Sequence, residues 1–304
     1  MKKRVEDSRT EQVQILFPST LNGCKRLFGG KLMEWIDVVA AVVAAALLLQ
    51  LFTGSFPLEI FAFPLNVITL ALWVVAAYLL FKNRETSALA KSLLSIRATW
   101  LALGSMVAIG LYLGLQRNPN STSWLVVAGI LFALTHLLLI TMRGWRTPKG
   151  IRWRFTLLHA GLIIALGAGF WGAPDRVQLR TMLLSEKPTT HAFHLNGTMT
   201  NLGYAMQLQE LDAEYNESGM PTHFQAVANI DNEEVTLTVN HPYDRTFGEK
   251  VYLVSIDPQG TYCVVEIVRE PWQWASLAGI ILILAGAVML FIRGPRHTAN
   301  KQIK

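Results

Sequence analysis

A chain of 304 residues with 52% hydrophobic and 16% charged residues and a mean hydropathy of +0.34 is too apolar for an ordinary soluble enzyme. The net charge of +6 does not point to nucleic acid, because the basic residues collect in short segments between apolar runs, where they set topology. What remains is a membrane protein in contact with lipid, with no nucleic-acid partner.

In chain order, residues 1–34 are polar and basic and lack a signal-peptide pattern, so they are expected to stay in the cytoplasm. A first apolar run, Val38 to Phe52, ends at TGSFPLEIFAF, where Gly54 and Pro57 stop a helix. Pro64 to Phe81 is a second span, followed by the basic segment KNRETSALAKSLLSIR. Ala98 to Leu115 is a third, with Gly110 and Gly114 at GxxxG spacing, and Trp124 to Met142 is a fourth. The loop RGWRTPKGIRWR holds five basic residues and no acidic one. Phe155 to Trp171 is a fifth span, and Trp274 to Ile292 the last.

With both termini inside, the cytoplasmic segments of this six-span reading hold 7, 4, 5 and 4 Lys plus Arg, which is 20 of the 27. That asymmetry sets the orientation. Eight of the nine Trp fall at or just beyond span ends, where an amphipathic ring prefers the headgroup layer, and only Trp73 sits mid-span.

Between the fifth and sixth spans lie about 100 residues, the size of one folding unit. HFQAVANI, EEVTLTVN, EKVYLVSI and TYCVVEIV alternate or are β-branched, and DN, HPYDRTFG and DPQG supply turn chemistry between them. The expected fold is therefore a six-transmembrane α-helical bundle with a β-rich extracytoplasmic domain between the fifth and sixth helices. The segments are 1–34 (cytoplasmic), 35–171 (five helices), 172–271 (β-rich domain), 272–293 (sixth helix) and 294–304 (cytoplasmic tail).

Two histidines lie inside apolar runs, His136 in LTHLLLI and His159 in LLHAGLI. A polar ring in lipid needs a partner, which can be a backbone carbonyl, a threonine or a bound cofactor. Gly161 and Ala165 add a small-xxx-small face that admits a neighbouring helix or a flat ligand. The other histidines, His191, His194, His223 and His241, are scattered in the outer domain, where a metal site would need a third ligand. Cys24 and Cys263 fall on opposite sides of the membrane in this topology and cannot pair within one chain.

From about residue 45 the chain resembles the ResB (CcsB) family, the membrane partner of CcsA in system II cytochrome c maturation. LLQLFTGSFPLEIFAFPLNVI, LLHAGLIIALGAGFWGAPDRVQLR, VTLTVNHPYDRTFGEKVYLVSID and VVEIVREPWQWASLAGIILILAG carry the resemblance, in that order. It implies an accessory subunit, not catalytic alone, in a bacterial cytoplasmic (inner) membrane, handling haem b and presenting it with CcsA to apocytochrome c. No WWD-type run is present, and the resemblance leaves that element to CcsA. It also implies that the embedded histidine, here His159, ligates the haem iron. His136 comes to a similar depth if the two spans joined by the short basic loop are neighbours, so His136 is a candidate second ligand, and the loop a candidate site for the propionates.

Residues 11–43 resemble something else, the opening of a hotdog-fold acyl-CoA or acyl-ACP thioesterase, through NG, LFGGKLMEWID and the Asp that matches Asp37. The strands of that fold do not follow, so thioesterase activity stands only as an alternative. A scaffold or sensor with a binding domain outside the membrane is a third.

Overall fold

The computed structural model describes residues 30–215, 221–257 and 259–293; residues 11–29 of the thioesterase-like stretch, and Cys24, lie outside them. The described helices are α1 (Gly30–Thr53), α2 (Leu65–Lys82), α3 (Ala88–Leu93), α4 (Ile96–Leu115), α5 (Trp124–Gly144), α6 (Trp153–Gly172) and α7 (Gln273–Arg293). Five of them, α2, α4, α5, α6 and α7, are long and apolar enough to cross a membrane, whereas the apolar helix at Val39–Thr53 is shorter. A short ribbon, β1 (Arg146–Thr147) and β2 (Gly150–Ile151), closes the basic loop between α5 and α6.

The chain divides into two compact units. The first contains the described residues up to Phe56 together with Ile109–Gly129. Its helix ends are fastened by polar contacts: the Trp124 backbone N–H donates to Gln50 Oε1 at 3.1 Å and the Trp124 indole to Thr53 Oγ1 at 2.9 Å. Phe56 meets the Trp124 ring edge-on, and its N–H donates to the Thr122 carbonyl at 2.8 Å. These bonds satisfy groups at a helix terminus that lipid would leave orphaned.

The second unit contains Pro57–Ala108 and everything from Ile130 on. Its central feature is the antiparallel pair α6 and α7. A Cβ on Gly279 would lie 2.5 Å from the Ala165 nitrogen and 2.7 Å from the Gly161 carbonyl oxygen, and one on Gly161 would lie 2.6 Å from the Gly279 oxygen. Only glycine permits that backbone approach, so the small face of Gly161 and Ala165 is filled by another helix. α2 leans on the end of the pair: the Trp73 ring meets Trp171 at a tilt of 43° with centroids 4.7 Å apart, and its indole N–H donates to Thr135 on α5 at 2.9 Å. The one tryptophan that sits mid-span thus has its polar edge satisfied inside the protein.

Between α6 and α7 the chain forms β3 (Val177–Leu184), β4 (Thr189–His194), β5 (Met199–Tyr215), β6 (Pro221–Ile230), β7 (Glu233–Thr238), β8 (Tyr243–Thr246), β9 (Glu249–Ile256) and β10 (Tyr262–Arg269). All pairings are antiparallel, in the order β7-β6-β5-β4-β3-β10-β9-β8. Each strand pairs with its sequence neighbour except at β7 and β8, while β10 pairs with β3, so the sheet is a meander that curls toward a barrel. The seam between β7 and β8 is drawn together by side chains: Tyr243 Oη donates to Glu233 at 2.8 Å and Arg245 to Asp231 at 3.0 Å. Leu179, Leu183, Met206, Ile230, Leu237, Val265 and Ile267 are fully buried on the inner face, as period-two alternation requires. The turn Asp231-Asn232, with φ of 55° and 70°, is the two-residue hairpin that its composition suggests.

At one end of the barrel Glu249 is buried, accepting from Tyr204 Oη at 2.8 Å, from Arg245 Nε at 2.5 Å and from Arg269 Nε. Arg245 also lies over the Tyr204 ring, 3.8 Å from its centroid. Burial alone would raise the Glu249 pKa; the three donors overcome it and hold the carboxyl below its usual range. Arg245 is held above its ordinary value against the same burial, by Glu249 first and then by Tyr204 and Asp231.

Candidate functional site

Local spacing places His159 on a particular side of α6. At 100° per residue, Phe155, His159, Leu162, Leu166 and Gly169 fall on one stripe, centred about 100° around the helix from the Gly161 and Ala165 face that α7 occupies. Leu162, Leu166 and Gly169 on that stripe are exposed, and His159 is half-buried. The imidazole stacks on Phe155 with centroids 3.9 Å apart, and Phe155 in turn carries the Arg152 guanidinium 4.8 Å from its centroid. A cation, an aromatic ring and an imidazole therefore stand in a row at the basic end of the helix.

The ring's hydrogen bonding decides which nitrogen is available. Nδ1 lies 2.9 Å from the Phe155 carbonyl oxygen, an acceptor only, so Nδ1 carries the proton and donates it. In a neutral imidazole Nε2 is then the lone-pair nitrogen, and among the described residues nothing meets it. A backbone carbonyl on one ring nitrogen is the usual device that fixes tautomer and orientation in a metal-ligating histidine.

His136 differs on each count. It is 5% exposed; Nδ1 donates to the Leu93 carbonyl at 2.7 Å, and Nε2 accepts from Thr99 Oγ1 at 3.1 Å. Leu93 ends α3, a short helix capped by Ser87, so His136 ties α5 to the segment before α4. Both nitrogens are spent, and neither is directed at His159. The two rings bond to different segments, His136 to Leu93 and Thr99 and His159 to Phe155, and the close helical partner of α6 is α7.

A third group of residues was not apparent in the sequence. Asp175, just past α6, accepts the Phe63 N–H at 2.8 Å on Oδ1, and Asn66 Nδ2 at 2.6 Å and the Trp272 indole at 2.7 Å on Oδ2. Asn66, 1% exposed, also donates to the Trp171 carbonyl at 3.0 Å. One carboxylate thus joins the start of α2, the end of α6 and the entry to α7. Ala62, Phe63, Pro174, Val177, Pro271 and Trp272 surround it in an open pocket of about 540 Å³.

Elsewhere, among the described residues no three His, Cys, Asp or Glu side chains converge as a metal site. The His191 and His241 rings bond to Thr190 and to the Val239 carbonyl, and the His223 side chain lies outside the described atoms. Cys263 is a buried free thiol inside the barrel, its pKa pushed up to about 12 by desolvation.

Residues 150–265 match the ResB-like family. The ResB-like stretch contains α6 with Arg152, Phe155 and His159, the Asp175 clasp, and the barrel as far as Val265 in β10. No curated protein matches the chain. Among solved structures, the cytochrome c haem lyase CcmF is similar at 13% identity and a TM-score of 0.36, over 82% of this chain and 44% of that one. The chain therefore spans less than half of that protein's length.

Proposed function

We propose that the chain is a ResB-like subunit of cytochrome c maturation that holds haem in the membrane and, with a CcsA-type partner, presents it to apocytochrome c. The observation that carries this reading is the state of His159: Nδ1–H fixed on the Phe155 carbonyl, Nε2 left with its lone pair on an exposed apolar stripe. A polar nitrogen facing lipid is costly unless something binds it, and a haem iron or a partner's donor would remove that cost. The ResB-like match covers this helix.

The residues fit the group. His159 would hold the iron through Nε2, Leu162 and Leu166 would offer apolar surface to a porphyrin, and Arg152, with the basic loop before it, would neutralise the propionates. Haem bound there supplies the group that is to be attached to apocytochrome. Because the stripe is open, a partner would supply the opposite wall and any further ligand to the iron. His136, with both nitrogens engaged, acts as a brace between α5, α3 and α4. In this reading both termini are cytoplasmic, α1 makes the first crossing of a bacterial cytoplasmic membrane, and the barrel lies on the outer side. The haem type is b, held without covalent attachment to this chain.

The acyl-thioesterase alternative gains no support from the unit that holds α1, whose described residues contain no strand to build an acyl pocket around Asp37.

The test is an absorption spectrum of the purified chain, alone and with a CcsA-type protein. A Soret band is expected that His159→Gly abolishes and added imidazole restores. Full haem content in His159→Gly overturns the assignment.

A further inference from the structure

The meander sorts the barrel's loops into two sets. β3 leaves α6 and β10 returns to α7, so odd-numbered strands run away from the helices and even-numbered strands run back. The turns β4–β5, β6–β7 and β8–β9 therefore lie at the helix end; β3–β4, β5–β6, β7–β8 and β9–β10 lie at the far end. Register agrees: His194 pairs with Leu179, near the start of β3, and Glu249 pairs with Arg269, the last residue of β10.

The two sets differ in chemistry. Two of the three helix-end turns carry a large apolar residue at the tip, Leu195 at 65% exposure and Phe247 at 74%. Phe193 and Met199, a cross-strand pair beside Leu195, are exposed as well. At the far end the described turn residues, Ser185 to Pro188, Asn240, His241 and Gln259 to Thr261, expose no large apolar side chain. Met182 and Val254 are exposed too, but on strand faces and not at turns.

Both tips are held firmly. In the β4–β5 hairpin the His194 N–H donates to the Thr198 carbonyl at 2.9 Å and Gly197 N–H to the His194 carbonyl at 2.8 Å, with Gly197 at φ +86°, which makes a rigid mount for Leu195. Gly248 takes φ +82° and packs so closely on Pro271 that a Cβ would lie 2.9 Å from the Pro271 Cα. That contact sets Phe247 against Trp274 in the first turn of α7, ring on ring at 5.8 Å. The Phe247 tip is thus continuous with the boundary of a candidate membrane span, where Trp rings prefer to sit, and the Leu195 tip lies at the same end of the sheet.

We propose that the helix end of the barrel rests in the surface of the bilayer that α6 and α7 cross, with Leu195 and Phe247 inserted into the boundary between headgroups and acyl chains. The occupant of this apolar rim is lipid. Insertion fixes the tilt of the barrel, because two anchors on separate hairpins join the two chain connections to α6 and α7.

The test uses the full chain in phosphatidylcholine bilayers, in a Cys24→Ser background, since Cys263 is buried away from the label. Leu195→Cys and Phe247→Cys each receive an environment-sensitive fluorophore, and Glu186→Cys at the far end is the control. Lipids bearing a nitroxide just below the headgroup should remove more than about half of the emission at Leu195 and Phe247, as expected for groups at interfacial depth, and leave Glu186 unchanged. Quenching at the two tips no greater than at Glu186 overturns the proposal. A blue-shifted emission that the nitroxide does not reach means that protein covers the rim, and overturns it equally. The two sites lie on different hairpins, so a folding defect in one variant leaves the other as the test.

Discussion

The Asp175 carboxylate accepts the indole proton of Trp272 at 2.7 Å, across the point where the barrel's two connections meet the helices. The same carboxylate holds Asn66 and the Phe63 N–H, so losing it leaves three donors unsatisfied at once. Asp175→Ala is expected to cost about 2–3 kcal/mol, the usual scale for hydrogen bonds to a charged group. Hydrogen exchange should report the loss first at Phe63 and at the entry to α7. A variant as stable as the parent, with unchanged exchange there, would remove the clasp from this role.

Gly279 and Gly161 let α6 and α7 touch backbone to backbone. Gly279→Val has to displace the Ala165 backbone, not a flexible side-chain tip, so overpacking of about 1–3 kcal/mol is expected. Gly169→Ala, on the exposed stripe of the same helix, meets nothing within 4 Å and should be silent. Thermal melts in one detergent compare the two.

Glu249 sets an acid limit for the barrel. Its folded pKa lies below its unfolded one, so its contribution to stability is complete above the unfolded value of about 4.5 and is lost as pH falls through the folded value. Stability measured by near-UV signal should therefore decline on acidification below about pH 4.5. Glu249→Gln should flatten that decline. Because it removes the counter-charge of the partly exposed Arg269 and one of the two that Arg245 meets, it should also cost about 1.5–3 kcal/mol at neutral pH, the scale of a hydrogen bond to a charged group.

The two embedded histidines should separate cleanly. His136→Leu leaves the Leu93 carbonyl and the Thr99 hydroxyl without their partner and is expected to destabilise by about 1–3 kcal/mol, with haem content per folded molecule unchanged. His159→Gly should do the reverse, losing haem with a small change in melting. Equal haem loss in both variants would return His136 to the ligand set.

The features legible in the sequence were those set by local pattern. Apolar runs gave α2, α4, α5, α6 and α7, and alternation with turn residues gave β6, β7, β9 and β10. β3 also alternates, with Leu179, Thr181 and Leu183 facing in, but Gln178 and Arg180 between them dilute the signal. β5 runs for 17 residues with bulges at Leu208/Glu210 and Glu214/Tyr215, and each bulge shifts the period. The small face of α6 announced that something would pack there, and the residues that reciprocate, Gly279 and Gly286, lie more than 100 positions away. Short loops suggested α5 as the neighbour; backbone complementarity chose α7. The Asp175 clasp draws on Phe63 and Asn66 from one distant segment and Trp272 from another, and each alone looks like an ordinary residue at a span end. At the candidate site, sequence could name His159 but not its tautomer, because the carbonyl that selects it acts through three-dimensional geometry.

The barrel enters and leaves through Gly172 and Trp272, whose close contact brings the two connecting strands of chain side by side. An insertion whose ends already touch asks little of its host. Residues 177–269 should therefore be exchangeable as a cassette: a few glycines and serines could bridge α6 to α7, and the excised segment, with its own filled interior, could be grafted into another protein's loop.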